Sequence, residues 1–513
     1  MIFVKFIQDQ TPAVIGGALV EMDTNEYKTF NNISEAFELI TQYKKVYFFD
    51  GLKSATFLMY YLFENGFSYS QNKKRKSFFA KISAGNQFYY LRIYDEKMKK
   101  TEFFDAIHII PISELELIKT AKIPLPDLKA QCLYIASLIK SRPENKAITL
   151  SAYIKDDVFN YIDKSVFYSH FPILSRSSKD ALRLAYKGGV CWLDPKYKNK
   201  TVFNVLELDV NHLYPYICAE YLLPYSVPYY SKGKFTPSKT WPLGIQFFSC
   251  AYELKKNGIA FLNVDAFFSD FNIKAKETSN NKIITLAMPF DELQLFLKNY
   301  NVYCFEYIEY YAFRGKRGVL KNYIKHFNEI KEASEGIERE IAKRRNNLLT
   351  GLFGELDRMT IKTPYLKDGL IKYHYKVLTK FNASGYLPAA IFITSYGRIF
   401  TVSLAEKHRD NYIYSDTDSC YFHGLSESVF ADIIESATMG KWKLKKWDRV
   451  IFMQEKQYIA FNQNEQKQVI AGLPKSYILN ESEFYKGAQI AIKTPARVKG
   501  GYILKDSVFT IGT

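Results

Sequence analysis

The chain of 513 residues is 47% hydrophobic, enough for several folded domains, and its 70 Lys and Arg against 53 Asp and Glu give a formal net charge of +17. This charge favours a polyanionic partner such as nucleic acid, although a basic surface encoded by an A·T-rich genome would give the same balance. Six scattered cysteines without a C-x-x-C pair argue against a zinc site or a disulfide framework, and the lack of a long apolar run or a basic leader argues against secretion and a membrane anchor.

Residues 1 to about 165 alternate strand-like and helix-like patterns. The segments 14–22 and 46–49 have strand composition, and 54–65 has a helical pattern. This alternation predicts an α/β module.

Two adjacent glycines, Gly188 and Gly189, follow Tyr186 just after this module. Glycine lets the backbone approach another group closely or adopt positive φ, so the segment is either a binding loop or only a tight turn.

The segment 205–215 predicts a buried strand that ends in an acid. Asp209 closes the apolar run, and the following turn places the ring of Tyr214 just beyond the carboxylate. Tyr214 is either part of a site or core packing.

Two helices are predicted between residues 327 and 354 from their Lys, Glu, Arg, Ala and Leu content. They carry Lys331 and Lys343. A basic cluster on a helix is usually a solvated face, and binding of phosphates is the alternative.

The segment 412–422 predicts a hairpin that presents acids at its tip. Aromatic and β-branched runs flank Asp416 and Asp418, which can share a face if the backbone stays extended, with Thr417 turned away. Hard anionic ligands on one edge suit Mg²⁺ or Mn²⁺, whereas an isolated pair of this kind is often only a solvated turn.

The patterns Asp209-x-x-x-Leu213-Tyr214-Pro215 and Tyr414-x-Asp416-Thr417-Asp418-Ser419 resemble motifs A and C of the family B DNA polymerases. A long aromatic-rich segment after motif A is similar to the insertion of the protein-primed subfamily of the phi29 type. The resemblance covers nearly the whole chain. It implies an α/β and α+β multidomain fold, with an N-terminal exonuclease-like (RNase H-like) domain followed by a right-hand palm, fingers and thumb polymerase domain with two insertions.

The resemblance also implies domain boundaries. An exonuclease-like domain, expected to be inactive, would cover 1–165, and a polymerase domain 166–513. Within the second, the implied parts are a palm at about 166–220 and 387–480, a first insertion at about 221–320, fingers at about 321–357, a second insertion at about 358–386 and a thumb at about 481–513.

The resemblance assigns roles to residues of this sequence. Asp209, Asp416 and Asp418 would be catalytic, with Asp209, the Val210 carbonyl and Asp418 holding two Mg²⁺ or Mn²⁺ ions roughly 3.5–4 Å apart. The residues implied to bind the nucleotide are Tyr214, Lys331, Lys343, Phe353 and Gly354. The residues implied to bind DNA are Tyr186, Gly188, Gly189, Lys456 and Tyr458.

Two motifs of the family are degenerate here. In motif B, Asn346 stands where a lysine is expected, and Lys343, one turn earlier, could replace its charge. The first exonuclease motif, Asp-x-Glu, should lie on the opening strand, where at most Asp9 could serve. In the second motif, Ser54 stands where a catalytic Asp belongs and Asp50 where an Asn is usual, and only Tyr153 and Asp157 of the third motif survive. We therefore expect no 3′–5′ exonuclease activity; the alternative is that Asp50 and Asp9 have taken over from the lost acids.

The implied function is DNA-directed DNA synthesis on template-primer DNA with deoxynucleoside triphosphates, primed by a hydroxyl of a separate terminal protein, with strand displacement and without proofreading. The expected genome is a linear viral or plasmid DNA, and the expected location is the cytoplasm, that of a host cell if the source is viral, with no membrane partner. The alternatives are a DNA-primed repair polymerase and a catalytically silent DNA-binding relative.

Overall fold

The computed structural model describes residues 1–8, 14–142, 150–263, 275–355, 358–379, 385–475, 477–499 and 501–512. The N-terminal part of the chain forms a module of mixed strands and helices. Its elements are β1 (Ile2–Gln8), β2 (Val14–Glu21), β3 (Tyr27–Phe30), α1 (Ile33–Ile40), β4 (Lys45–Phe48), α2 (Gly51–Glu64), β5 (Ser68–Tyr69), β6 (Ser77–Ser83), β7 (Phe88–Tyr94), β8 (Lys100–Asp105), α3 (Glu114–Thr120), α4 (Leu128–Lys140) and α5 (Leu150–Val158).

The middle of the chain begins with two short helices and continues mostly as strands. Its elements are α6 (Lys164–His170), α7 (Arg176–Leu182), β9 (Cys191–Leu193), β10 (Lys200–Val210), α8 (Leu213–Glu220), β11 (Leu223–Lys232), β12 (Leu243–Leu254), β13 (Ile284–Pro289), α9 (Phe290–Asn299) and β14 (Tyr300–Lys316).

The C-terminal part contains long helices and several hairpins. Its elements are α10 (Lys321–Ala333), α11 (Gly336–Phe353), β15 (Arg358–Lys367), β16 (Leu370–Thr379), α12 (Leu387–Lys407), β17 (Tyr412–Asp416), β18 (Ser419–His423), β19 (Trp442–Gln454), β20 (Gln457–Phe461), β21 (Gln466–Ile470), β22 (Gln489–Val498) and β23 (Gly501–Thr510).

The sheet of the N-terminal module is covered on both faces. Strand β4 lies parallel to β1 and β8, and the other long strands are antiparallel. Ile2 and Val4 of β1 pack into one core and Phe3 into the other, as expected when side chains alternate along a strand. Helix α2 belongs to the first core and α4 to the second, so the α/β module predicted from the sequence is present.

A second sheet carries the predicted acids, with strand order β21-β20-β19-β10-β18-β17-β9. Its central strand β10 is mostly buried and lies between β18 and β19, antiparallel to both. Helix α12 packs against α8, which follows β10. By length and composition α12 could cross a membrane, but 72% of its most apolar window is buried inside the protein, as in a core helix.

The segment after motif A forms a sheet of its own, in the order β11-β14-β12-β13, with α9 packed on it. The hairpin β15–β16 extends the N-terminal sheet, because Ile361 and Lys362 pair with Ser83 and Ile82 of β6. The last hairpin, β22–β23, also reaches this module. The hydroxyl of Tyr60 on α2 is 2.8 Å from both the Gly369 carbonyl and the Val498 carbonyl.

Candidate active site

The predicted principal acids meet where β10 and the β17–β18 hairpin lie side by side. Asp209 on β10 lies directly opposite Ser419 on β18, and the backbone N–H of Val210 donates to the carbonyl of Asp418 at 2.9 Å. Backbone hydrogen bonds between strands therefore fix the relative position of Asp209 and Asp418.

The backbone at the tip of the hairpin is not extended, so the condition under which Asp416 and Asp418 would share one face is not met. Thr417 has a φ of 61°, and the N–H of Asp418 donates to the carbonyl of Asp416 at 2.8 Å. The carboxylate of Asp416 accepts hydrogen bonds from Lys456 Nζ at 2.6 and 2.8 Å, whereas Asp418 lines a cavity together with Asp209.

The two facing carboxylates repel each other. Burial, followed by the charges of Asp418 and Glu207, raises the pKa of Asp209 to about 7. Burial is also the main cause of the raised pKa of Asp418. Such a pair is stabilised by a bound cation, and carboxylate and carbonyl oxygens are the donors that Mg²⁺ and Mn²⁺ prefer. The donor set of Asp209, Asp418 and the Val210 carbonyl therefore fits a divalent metal.

The acids line a cavity of about 380 Å³ that is otherwise rich in cations. This is within the usual size range of small-molecule sites. Its lining residues come from the β10–α8 turn, the helices α10 and α11, the hairpin tip and β19. They are Asp209, Val210, Asn211, His212, Leu213, Tyr214, Lys331, Arg339, Glu340, Lys343, Asn347, Asp418 and Lys443.

Helix α11 presents a polar stripe to this cavity. Arg339, Lys343 and Asn347 are four residues apart and lie on one face of the helix. Asn346, the residue at the expected position of the motif B lysine, is fully buried and donates a hydrogen bond to the Ile324 carbonyl at 3.2 Å. The structure thus places Lys343, and not Asn346, at the cavity.

Lys331 reaches the cavity from α10 although it is only 3% exposed. Its ammonium is 3.4 Å from Asn211 Oδ1 and 2.9 Å from Glu332 Oε1. Its position is therefore fixed beside the turn that follows Asp209.

Lys443 belongs to the site although no sequence pattern marks it. It is the direct cross-strand neighbour of Asp209 on β19 and also lines the cavity. Burial, followed by the charge of Lys331, lowers its pKa. The sequence Trp442-Lys-Leu-Lys-Lys-Trp447 contains three lysines, and only the strand register shows which of them lies beside the acid.

Tyr214 lies at the cavity wall against α12. A Cβ at Gly397 would be 2.9 Å from Cε1 of the Tyr214 ring, so the ring approaches the bare backbone of this helix. Burial raises the pKa of Tyr214 to about 12. Its position is compatible with both a packing role and contact with a bound sugar.

The loop of Tyr186, Gly188 and Gly189 is held against α12 by the arginine of a buried ion pair, and it also lies close to the hairpin. Arg398 of α12 donates to the carbonyls of Lys187 and Gly188 at 2.9 and 2.7 Å, and pairs with Glu292 at 2.6 Å. A Cβ at Gly189 would be 2.8 Å from the Thr417 side chain. The second glycine is therefore needed for close approach to the tip that carries Asp418.

Phe353 and Gly354 lie outside the cavity. Phe353 is 1% exposed and packs edge-on against Phe171, with ring centroids 4.9 Å apart. A Cβ at Gly354 would be 2.5 Å from the hydroxyl of Tyr186. The structure therefore groups both residues with the core and with the Tyr186 loop.

Lys456 and Tyr458 are close in sequence but face different surroundings. Lys456 pairs with Asp416, as described above, and is half-exposed. Tyr458 is 3% exposed, and its hydroxyl is 2.8 Å from that of Tyr421. Tyr458 thus lies in the aromatic core behind the hairpin.

The candidate exonuclease residues do not form one site. Asp50 lies at the N-terminus of α2 with a φ of 55°, and Ser54 is buried in the next turn. Burial raises the pKa of Asp50, the charge of Lys53 partly opposes this, and the charge of Glu114 adds to it, so that the pKa is raised overall. Asp157 instead contacts Arg345 and Tyr323 of α11 and α10, and Tyr153 also contacts Arg345.

A lysine, Lys5, lies at the centre of β1, where the first exonuclease motif was expected. Its ammonium is 2.7 Å from Glu114 Oε1 and 2.7 Å from Gln131 Oε1. Asp9, the other candidate for this motif, lies outside the described residues. Among the described residues, no group of three or more His, Cys, Asp or Glu is arranged to hold a metal ion.

Residues 140–436 match the family described as DNA polymerase type B, organellar and viral. The chain is 28% identical to the DNA polymerase of Bacillus phage PZA over 95% of each chain. It is also 28% identical to that of Bacillus phage phi29, over 95% of this chain and 94% of the relative.

Solved structures of phi29 DNA polymerase superpose on nearly the whole chain. The complex with primer-template DNA gives a TM-score of 0.91 at 25% identity, covering 99% of both chains. The ternary complex with primer-template DNA and incoming nucleotides gives 0.90 with the same coverage. The predicted fold class, an exonuclease-like domain followed by palm, fingers and thumb, is confirmed.

Proposed function

This chain belongs to the organellar and viral type B DNA polymerases and is a DNA-directed DNA polymerase, and from this premise we propose that it copies a linear viral or plasmid genome from a protein primer in the cytoplasm of the host cell. The observation that carries the assignment to this chain's own residues is the pair of carboxylates, Asp209 and Asp418, that line a cavity rich in cations.

Asp209, Asp418 and the Val210 carbonyl would hold two divalent metal ions. When bound, such ions activate the attacking oxygen and stabilise the leaving pyrophosphate. Asp416 acts beside them: its ion pair with Lys456 holds the β19–β20 turn against the hairpin, where the end of a primer would lie. Lys456 and the loop of Tyr186, Gly188 and Gly189 are the proposed DNA contacts, and Tyr458 supports the first of them from the core.

The triphosphate of the incoming nucleotide carries several negative charges, and the cavity supplies cations on two sides. Lys331, Arg339 and Lys343 face it from the two helices proposed as fingers, and Lys443 faces it from the palm sheet. Phosphate oxygens are well matched by lysine and arginine. This arrangement replaces the charge that Asn346 does not provide. Phe353 and Gly354 contribute by packing behind the nucleotide site.

The experiment that tests the activity is primer extension. We expect the purified chain to extend a primer on a DNA template with deoxynucleoside triphosphates and Mg²⁺ or Mn²⁺. A catalytically silent relative would bind the same DNA without extending it.

Protein priming is supported by the insertion sheet, which exposes large side chains that a partner could cover. They are Val227, Tyr229, Tyr230, Tyr303 and Ile308. Transfer of labelled dAMP onto a terminal protein encoded by the same genome, without a DNA primer, is the expected result. Extension from DNA primers alone would favour the repair polymerase.

Strand displacement is supported by the hairpin β15–β16. It is bonded to β6 of the N-terminal module and is tied through Tyr60 to the thumb hairpin β22–β23. Together these contacts would form a ring that encloses the template strand and excludes the displaced strand.

Replacement of Tyr214 by valine is expected to admit ribonucleotides. The ring lies against the backbone of α12 at Gly397. With the sugar of the incoming nucleotide over this ring, there would be no space for a 2′-hydroxyl, and valine would open that space. The measurement is the ratio of kcat/KM for a deoxynucleotide to that for the matching ribonucleotide. Phe at this position keeps the ring and is the control; unchanged discrimination in Tyr214→Val would assign the ring to packing alone.

We also propose that the chain does not proofread. Strand β1 carries the ammonium of Lys5 and no carboxylate, whereas two-metal hydrolysis needs anionic ligands, and Asp157 is engaged by Arg345. A labelled single-stranded oligonucleotide incubated with metal and no nucleotides should keep its full length. Shortening from the 3′ end that disappears in Asp50→Ala or Asp157→Ala would reveal a working exonuclease and contradict the proposal.

A further inference from the structure

Helix α11 has a second functional face, opposite the stripe that lines the nucleotide cavity. Ile337 and Ile341 are buried in the core of the N-terminal module together with Ile110, Leu117 and Ile135. These positions lie on the other side of the helix from Arg339, Lys343 and Asn347, given 3.6 residues per turn. The helix is thus packed between the module and the cavity.

Polar contacts reinforce this apolar packing along the helix. Arg344 pairs with Glu116 of α3 at 2.9 Å and donates to the Pro111 carbonyl at 2.6 Å. Near the start of the helix, Glu338 pairs with Arg142 at 2.6 Å. Both charged partners of α11, Glu116 and Arg142, belong to the exonuclease-like module.

The most buried of these contacts uses the surviving exonuclease residues. The guanidinium of Arg345 is 3.5 Å from Asp157 Oδ2 and donates a hydrogen bond to the hydroxyl of Tyr153. It also lies 5.2 Å from the Tyr153 ring centroid and 5.0 Å from that of Phe327. Tyr323 of α10 donates to the same Asp157 oxygen at 3.3 Å. One carboxylate thus joins both helices that carry nucleotide-facing cations.

We propose that Tyr153 and Asp157 are positioning residues for the incoming nucleotide, acting through Arg345 to hold α10 and α11 with Lys331 and Lys343 facing the catalytic carboxylates. The inference rests on the proposed nucleotide cavity. It explains why these two residues persist although the other exonuclease acids are absent. Because the module holds α10 and α11 in place, the binding of the nucleotide does not have to order these helices.

The test is steady-state kinetics of primer extension with Asp157→Asn, Arg345→Gln and the double variant. Asp157→Asn should raise KM for the deoxynucleotide about tenfold, with kcat changed by less than about twofold, because a charged hydrogen-bonded contact is lost away from the reacting atoms. KM for template-primer DNA should stay the same. The double variant should be no worse than Arg345→Gln alone, because both substitutions break the same contact.

Two controls separate positioning from general stability. Glu329→Gln removes an exposed carboxylate that pairs with Lys325 on the same helix, and it should leave KM unchanged. Partial unfolding would lower the concentration of active enzyme, and with it the apparent kcat, but would not change KM. If Asp157→Asn does not fold, Tyr153→Phe removes only the hydroxyl that Arg345 contacts, and a rise in KM of about threefold is expected.

Lys343→Ala distinguishes failure of the inference from failure of the cavity assignment. If Lys343→Ala raises KM for the nucleotide while Asp157→Asn and Tyr153→Phe do not, the positioning role is wrong and the cavity assignment stands. If Lys343→Ala also leaves KM unchanged, the nucleotide does not bind along this helix, and both are overturned.

Discussion

Asp209→Ala and Asp418→Ala are each expected to abolish nucleotide incorporation, with a loss of about a thousandfold or more, while DNA binding remains. Each substitution removes one of the two carboxylates that line the cavity from the sheet. The other acids nearby are already paired: Asp416 with Lys456, Glu207 with Lys467 and Glu340 with Lys343. The measurement is single-turnover extension together with a DNA-binding assay.

Asp448→Ala is the matched control, because this exposed acid lies on β19 away from the cavity. It should extend primers like the unmodified chain. Extension by Asp209→Ala or Asp418→Ala at the unmodified rate would refute the assignment of the site.

Asp209→Ala should not destabilise the metal-free protein. The pKa of Asp209 is raised to about 7, above its usual range, so near neutral pH and above, its ionised form is disfavoured in the folded state relative to the unfolded chain. Alanine removes the repulsion with Asp418. Thermal unfolding without divalent metal at pH 8 should therefore occur at the same or a higher temperature than in the unmodified chain.

Arg398→Met is expected to have the largest effect on stability, about 3–5 kcal/mol. It leaves Glu292, which is 4% exposed, as a buried carboxylate without its partner, and it frees the carbonyls of Lys187 and Gly188. Denaturant unfolding measures the free energy, and template-primer binding reports whether the Tyr186 loop has moved.

The double variant Arg398→Met with Glu292→Gln should recover part of the loss, since no unpaired charge then remains in the core. Arg449→Met is the surface control: its ion pair with Glu481 at 2.5 Å is half-exposed, and its loss should cost no more than about 1 kcal/mol. If Arg449→Met and Arg398→Met lower the free energy of unfolding by similar amounts, burial of the Arg398–Glu292 pair is not what stabilises the loop.

The acids of the site could be predicted from the sequence because each one ends or caps a strand with a strong local pattern. The hairpin at 412–423 and the strand before Asp209 both depend on residues next to one another in the chain. Lys443 depends instead on pairing between β10 and β19, which are far apart in sequence, and no local pattern distinguishes it from Lys445 or Lys446.

The degenerate motifs show a second limit. Matching by spacing places Asn346 at a phosphate-binding position, but its side chain is buried against α10, and Lys343, Arg339 and Asn347 line the cavity instead. Helical periodicity does not separate these positions, because Asn346 follows Arg339 by two turns and lies on nearly the same side of the helix. The contact of Asp157 with Arg345 is not predictable from the sequence either, because it crosses between the two modules.

The hairpin β15–β16 has a consequence for how the chain folds during synthesis. The N-terminal module is made first, but β6 gains its partner at Ile82 and Ser83 only when the hairpin, which begins at Arg358, has left the ribosome. At about 5–20 residues per second this interval lasts roughly tens of seconds. Throughout it an open strand edge is available for pairing with other nascent chains. Co-expression of residues 358–379 as a separate peptide, which could cover this edge before the hairpin is made, should therefore raise the yield of soluble protein.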